Sequence, residues 1–337
     1  MTSRYKAMPT SLFRYALLTG LVVSRLAAAQ TPGTECQMNE QASIPITFTD
    51  DLRPVAQARI GGATVPVMLS SAAEEAVVFN KKVLDRLGIE VRSTTSKIYT
   101  TDARNDTGVD ILRETMYAPI RDFSFGPTRR ASGDYLVEDF MDDTFGLRIG
   151  AGTLFTNDLE VALDAGYLKM FRPEGCFREH LAYWDPEAVA VPSFRDSWKR
   201  DTRVVFNVHI NGQIVRALLS TATPHSYLPI AAAAPLGLAP DVPGAEREAP
   251  LPGHGADKPV WKVPVPLLNI GALEVKDIDL RLMDLPHSGE ILVLGADFLH
   301  RYRVLIALSQ QKIYFSPIAT PRVLKRGAVQ VIPQKLD

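Results

Sequence analysis

Long hydrophobic runs are missing from this 337-residue chain: beyond one short stretch near its start, nothing approaches the 18 uninterrupted apolar positions of a membrane-crossing helix. An excess of one charge is missing too. The 37 Lys and Arg stand against 38 Asp and Glu, a formal net charge of -1, which leaves no basic surplus for a phosphate backbone. Neither GxxxxGK[ST] nor GxGxxG occurs, so nucleic acid and nucleotides are not expected partners. Histidines 180, 209, 225, 254, 287 and 300 show neither HxxxH nor HExxH spacing, so neither a metal site nor a cofactor is expected. Cysteine is reduced to Cys36 and Cys176 without a CxxC, which excludes a disulfide-dense scaffold and a dithiol redox site. What remains, 46% apolar and 22% charged, is an ordinary globular composition long enough for two cores.

The start of the chain reads as an export leader. Arg4, Lys6 and Arg14 precede an apolar run over Tyr15–Val23, and Ala27-Ala28-Ala29 supplies the small residues that signal peptidase reads. Residues 1–29 are expected to be removed before Gln30; the alternative is a retained anchor, but the run is shorter than the roughly 20 residues a spanning helix needs. Removal takes four basic and no acidic residues, leaving 33 against 38 and a net charge of -5. The protein is therefore expected to be exported, periplasmic or secreted, with no stable membrane insertion after removal. In such an oxidising compartment a Cys36–Cys176 disulfide is the expected state and two buried thiols the alternative. A bridge across so long a segment stabilises by at most about 5 kcal/mol in the chain-entropy treatment.

The chain is written twice. Residues Ala58–Ala72 set against Val208–Ala222 give six identities in fifteen pairs, with Gly61-Gly62 and Asn211-Gly212 at the tight turn of a hairpin. A short helical stretch then ends at Leu87-Gly88-Ile89 and at Leu236-Gly237-Leu238, each with Gly at a left-handed cap. Gly turns follow at Phe125-Gly126 and Ile270-Gly271. The strands Leu147-Arg148-Ile149-Gly150-Ala151 and Leu292-Val293-Leu294-Gly295-Ala296 close each copy, with a constant offset of 145 from the Gly turns onward. Short β-branched runs separated by Gly, Pro and Asn predict an all-β protein of two lobes, over 43–172 and 203–317. A connector, 173–202, carrying Cys176, Trp184 and Trp198, is expected to lie ordered over the junction. In the tail, 318–337, a last strand is expected.

This ordered set resembles exported bacterial members of the retropepsin-like and pepsin-like aspartyl protease family. In that family each lobe has an Asn-Gly hairpin, a strand ending in Asp-Thr-Gly-Ala, a short helix with Leu-Gly, and a closing apolar-apolar-Gly strand followed by Asp-Phe-Leu. Val293-Leu294-Gly295-Ala296-Asp297-Phe298-Leu299 is similar to the closing motif, and Ile149-Gly150-Ala151-Gly152-Thr153-Leu154 to a weaker version of it. The resemblance implies a bilobal acid-protease fold of two β-barrel lobes in one chain, so a monomer is expected to form the cleft.

The departure falls on the chemistry. Where the family carries Asp-Thr-Gly, this chain has Ser70-Ser71-Ala72 and Ser220-Thr221-Ala222. Two neighbouring carboxylates share a proton so that one takes a proton from water while the other donates to the scissile carbonyl. A serine hydroxyl holds a water but does not titrate in this range. Losing one positioned base removes about 10² to 10⁴ in rate, and here both are absent. Ser71 and Thr221 keep the small hydroxyl that the resemblance implies bonds across the lobe interface.

The expected function is thus a pseudo-peptidase that binds an extended peptide or protein segment between the lobes by strand pairing, with Ser70, Ser220, Thr221 and His225 at the cleft. Alternatives are an aspartic endopeptidase working through other carboxylates, Asp143 first, or a structural envelope protein. A serine hydrolase built on Ser220 and His225 lacks a GxSxG or SxxK setting. Asp201 reads as connector and Asp297 as a loop or cap residue. Gly253-His254-Gly255 and the Tyr99–Asp110 stretch read as loops over the cleft or as plain mobile loops.

Overall fold

The computed structural model describes residues 35–101, 108–140, 142–195, 201–250, 258–285 and 291–318. The expected leader, Trp198, the His254 loop, His287, the centre of the Tyr99–Asp110 loop and the tail from residue 319 lie outside them. The chain is all-β, with two closed six-stranded barrels. Among the described residues no helix is long and apolar enough to cross a membrane.

The first barrel runs in the order Pro54–Ile60, Ala63–Ser70, Leu147–Gly150, Val77–Asn80, Thr128–Glu138 and Gly108–Phe125, and closes where Arg59 and Ile60 pair with Ser124 and Phe123. The second repeats that order with Val205–Ile210, Gln213–Leu219, Ile291–Leu294, Tyr227–Pro229, Leu273–Met283 and Val260–Ile270, closing at His209↔Asn269 and Ile210↔Leu268. The repeat quoted above forms the first hairpin of each barrel. Its turns use the backbone freedom the sequence offers: Asn211 and Gly212 both have positive φ, whereas in the first copy only Gly61 does.

The strands alternate as a half-buried sheet requires. Val65, Val67 and Leu69 point into the first barrel at 0% exposure, and Leu147 and Ile149 meet them from the parallel neighbour. The short helix Lys81–Arg86 is capped by the Asn80 side chain on the Lys82 N–H at 3.1 Å. In the second copy it shrinks to Ile230–Ala233 and a 3₁₀ turn that ends at Gly237 in left-handed conformation.

The halves join through six antiparallel strands: Gln37–Pro45, Tyr167–Glu174, Asp158–Ala162, Tyr302–Ala307, Lys312–Pro317 and Val189–Phe194. At the centre Leu159 faces Ile306, the copy of Val161, and Val161 faces Val304, the copy of Leu159. The pairing thus maps onto itself when the copies are exchanged. The 176–188 part of the sequence connector lies over this sheet, where Leu181, Ala182 and Ala188 pack with Leu305, Ala307 and Tyr314. Further along the connector, Val189–Phe194 is itself a strand that pairs with Lys312–Pro317. The Cys36–Cys176 disulfide ties the first strand to the segment after Tyr167–Glu174, with the Cα atoms 4.5 Å apart.

On the same face Arg303 is bound by buried Glu160, which accepts its Nε–H at 2.8 Å. The guanidinium lies 4.4 Å from the Trp184 ring centre. The pairing compensates a carboxylate at 0% exposure, which is costly to bury alone.

Candidate functional site

Ser70 ends the strand Ala63–Ser70, and Ser220 follows Gln213–Leu219 at the matching point of the second barrel. Both are buried, at 6% and 1% exposure. Each lies beside a closing strand, since Ser70 pairs with Gly150 and the Ser220 N–H donates to Leu294 O at 2.8 Å. The loop beyond each serine is pinned the same way: the Ala151 N–H donates to Ala73 O at 2.7 Å, and the Ala296 N–H to Thr223 O at 2.8 Å.

This tight crossing explains the two closing glycines. A Cβ on Gly150 would stand 1.9 Å from Glu75 O, and one on Gly295 would stand 2.7 Å from the carbonyl carbon of His225. Neither glycine has positive φ; the requirement is space, not conformation.

Ser71 and Thr221 lock the two copies together. Ser71 Oγ donates to Leu219 O at 2.6 Å and accepts the Thr221 N–H at 3.2 Å. Reciprocally, Thr221 Oγ1 donates to Leu69 O at 2.6 Å and accepts the Ser71 N–H at 3.2 Å. Four bonds from two buried hydroxyls therefore hold the strand ends that carry Ser70 and Ser220 beside each other. Ala72 and Ala222 have negative φ, so a methyl is accommodated where glycine could otherwise stand.

The remaining candidates separate. Ser220 Oγ bonds with Thr223 Oγ1 at 2.6 Å, and no bond between Ser220 and His225 occurs among the described residues. His225 is exposed, with Nδ1 4.0 Å from Asp297 Oδ2. Asp297 in turn accepts the Ser226 N–H at 2.9 and 3.0 Å, the Ser226 hydroxyl at 2.7 Å and its neighbour Phe298 N–H at 2.8 Å. That carboxylate fastens a loop to the closing helix Ala296–Leu299, and the Ser226 hydroxyl also accepts the Gly295 N–H at 3.0 Å. A nucleophile, base and orienting acid are not assembled here.

The other acids are engaged elsewhere. Asp143 lies on an exposed turn. Asp201 accepts the Arg203 N–H at 2.8 Å and its Nη2 at 2.7 Å; burial alone would raise its pKa, but these bonds and the Arg203 charge bring it below the ordinary 3.8. Glu74 pairs with Arg203 at 2.9 Å and Glu75 with Arg148 at 3.5 Å. No group of three His, Cys, Asp or Glu side chains suited to a metal occurs among the described residues.

Ser226 and Arg148 were not legible as site neighbours. Ser226 belongs to no motif, and Arg148 sits at an apolar position of the closing strand. The Asp-Phe-Leu motif was the one available signal for Asp297.

No family model matches the chain, and no curated protein is significantly similar to it.

Proposed function

We propose that this is an exported aspartyl-protease-like protein of the bilobal pepsin-like type, without peptidase activity, whose interlobe cleft binds an extended peptide or protein segment. One observation carries the reading: Ser70 and Ser220 stand at matched strand ends, set beside each other by the reciprocal Ser71 and Thr221 bonds. Acid hydrolysis of a peptide needs two carboxylates at such a pair of positions, one ionised and one protonated. Two hydroxyls there offer hydrogen bonds to a bound main chain or a water, and no proton acceptor at acidic or neutral pH. The disulfide supports an oxidising compartment.

The test is cleavage of a diverse peptide library from pH 3 to 8 by the wild type and by a Ser70→Asp, Ser220→Asp variant, with folding checked by circular dichroism. The expected result is silence from the wild type, binding of a subset of peptides seen as a rise in Tm, and cleavage by the variant below neutral pH. Wild-type turnover that survives Ser70→Ala, Ser220→Ala would overturn the proposal.

A further inference from the structure

A hollow of about 350 Å³ opens on the central sheet, between Phe155 and Asp158 of the first copy, Phe171 and Arg172 on the neighbouring strand, Arg195 just after the strand Val189–Phe194 and Ser309 of the second copy. Its size lies at the lower end of small-molecule sites. We propose that it binds a small ligand carrying a carboxylate or a phosphate on an apolar body. The site is remote in sequence from the strand-end serines and does not depend on the cleft reading.

Charge is the first support. The Arg195 Nη2 donates to Phe155 O at 2.9 Å and its guanidinium stacks 5.7 Å from the Phe155 ring centre, so its direction is fixed. Arg195 and Arg172 are both exposed, and among the described residues neither has an acidic partner. Partial desolvation lowers the Arg195 pKa, and an oxyanion bound beside the guanidinium would offset it. The one carboxylate in the hollow does not fill that role. Both Asp158 oxygens are taken by Ser309, from its N–H at 2.9 Å and its hydroxyl at 2.6 Å. Burial also pushes this carboxyl up, toward the neutral form.

The duplication supplies an internal control. Under the 145-residue offset Phe155 corresponds to His300 and Asp158 to Arg303. The outer strands match where Val191 faces Ile313 and Ile44 faces Leu168, which sets Arg195 against Phe48. There an aromatic pair takes the place, with the Phe48 and His300 rings 5.1 Å apart and His300 Nε2 bonded to Leu52 O at 2.8 Å. Arg303 turns instead to Glu160. The matched positions thus hold two neighbouring rings in one half and an arginine stacked on a ring in the other. Phe171 and Leu308 add apolar wall for the body of a ligand.

The full chain should be titrated calorimetrically with inorganic phosphate, phenyl phosphate and phenylacetate at one ionic strength set with sodium chloride. Phenyl phosphate or phenylacetate, or both, is expected to bind saturably and more tightly than inorganic phosphate, and the two phenyl compounds distinguish the preferred head group. Arg195→Gln and Arg172→Gln should each weaken that binding at least about ten-fold, the loss of a charge-assisted hydrogen bond, while Arg178→Gln, an exposed arginine of the connector, leaves it unchanged. Failure of both phenyl compounds to saturate, tighter binding of inorganic phosphate than of either, or binding that survives Arg195→Gln and Arg172→Gln, would overturn the assignment.

Discussion

If the Ser71 and Thr221 hydroxyls hold the two barrels in register, removing either should cost more than an ordinary surface substitution, and removing both should cost less than the sum. Thr221→Val replaces the hydroxyl by a methyl of similar volume. It strands Leu69 O and the Ser71 N–H, which Thr221 Oγ1 serves at 2.6 and 3.2 Å. Ser71→Ala likewise strands Leu219 O and the Thr221 N–H. Each group left unsatisfied in a buried site costs about 1–3 kcal/mol, so each single variant, which strands two, is expected to lose about 2–6 kcal/mol. No hydrogen bond is common to the two hydroxyls, so independent pairs would give additive losses. A shared task, holding two strand ends together, gives a double variant about 1 kcal/mol or more milder than the sum, within the range of measured couplings. Urea unfolding of the four proteins, followed by tryptophan fluorescence and circular dichroism, measures the cycle. Strict additivity, or a Thr221→Val within 0.5 kcal/mol of wild type, would refute the argument that these bonds lock the barrels.

Three further outcomes follow from the geometry. Gly150→Ala should lose more than about 4 kcal/mol, an exceptional value for one methyl, because its Cβ would meet Glu75 O at 1.9 Å; Gly295→Ala, with its nearest atoms at 2.7 Å, should be milder, and the reverse order in soluble yield and urea midpoint would contradict the crossing described here. Replacing both Cys36 and Cys176 by Ser, across a separation of 140 residues, should cost about 2–5 kcal/mol, measured against the oxidised wild type. Burial lowers the His300 pKa below the ordinary 6.5, against the Leu52 carbonyl and the charges of Asp297 and Asp164, which raise it. The unfolded chain then takes up this proton first, so stability should fall as pH drops through 6.5 and level off below the folded-state pKa; His300→Gln, which keeps a donor for Leu52 O, should flatten that part of the urea midpoint curve between pH 5 and 7.5.

The repeat made the barrels legible because hairpin turns and closing glycines are local requirements. Asn211-Gly212 must supply positive φ in a two-residue turn, and Gly150 and Gly295 must leave room for a crossing chain. Both constraints are visible as residue types at fixed spacing. The shared sheet was not visible in this way. Val189–Phe194 includes Pro192 and follows a charged, aromatic stretch, so nothing local marks it as a strand; it forms because Lys312–Pro317 offers it an edge. Ser226 was invisible for the same reason. Its task, bridging Gly295 and Asp297, exists only once segments 69 and 71 residues apart in sequence have met.

The frame asks nothing of residues 70 and 220 that a carboxylate would supply. Gly150, Gly295, Ser71 and Thr221 each satisfy a steric or hydrogen-bonding demand of the crossing, whereas Ser220 Oγ finds a partner within its own loop in Thr223. Two aspartates set into these buried positions would meet desolvation and mutual repulsion, both of which disfavour the second ionisation. Ser70→Asp, Ser220→Asp should therefore be less stable than wild type at pH 7. Its raised carboxyl pKa means that the folded form binds more protons than the unfolded one, so the deficit shrinks as pH falls toward 4. Each unit of upward shift corresponds to about 1.4 kcal/mol at pH values above both pKa values. Urea midpoints at pH 7 and pH 4.5 measure it. A double aspartate variant as stable as wild type at pH 7 would mean that neither desolvation nor mutual repulsion acts on the two carboxyls, against the 6% and 1% exposure of the serines they replace.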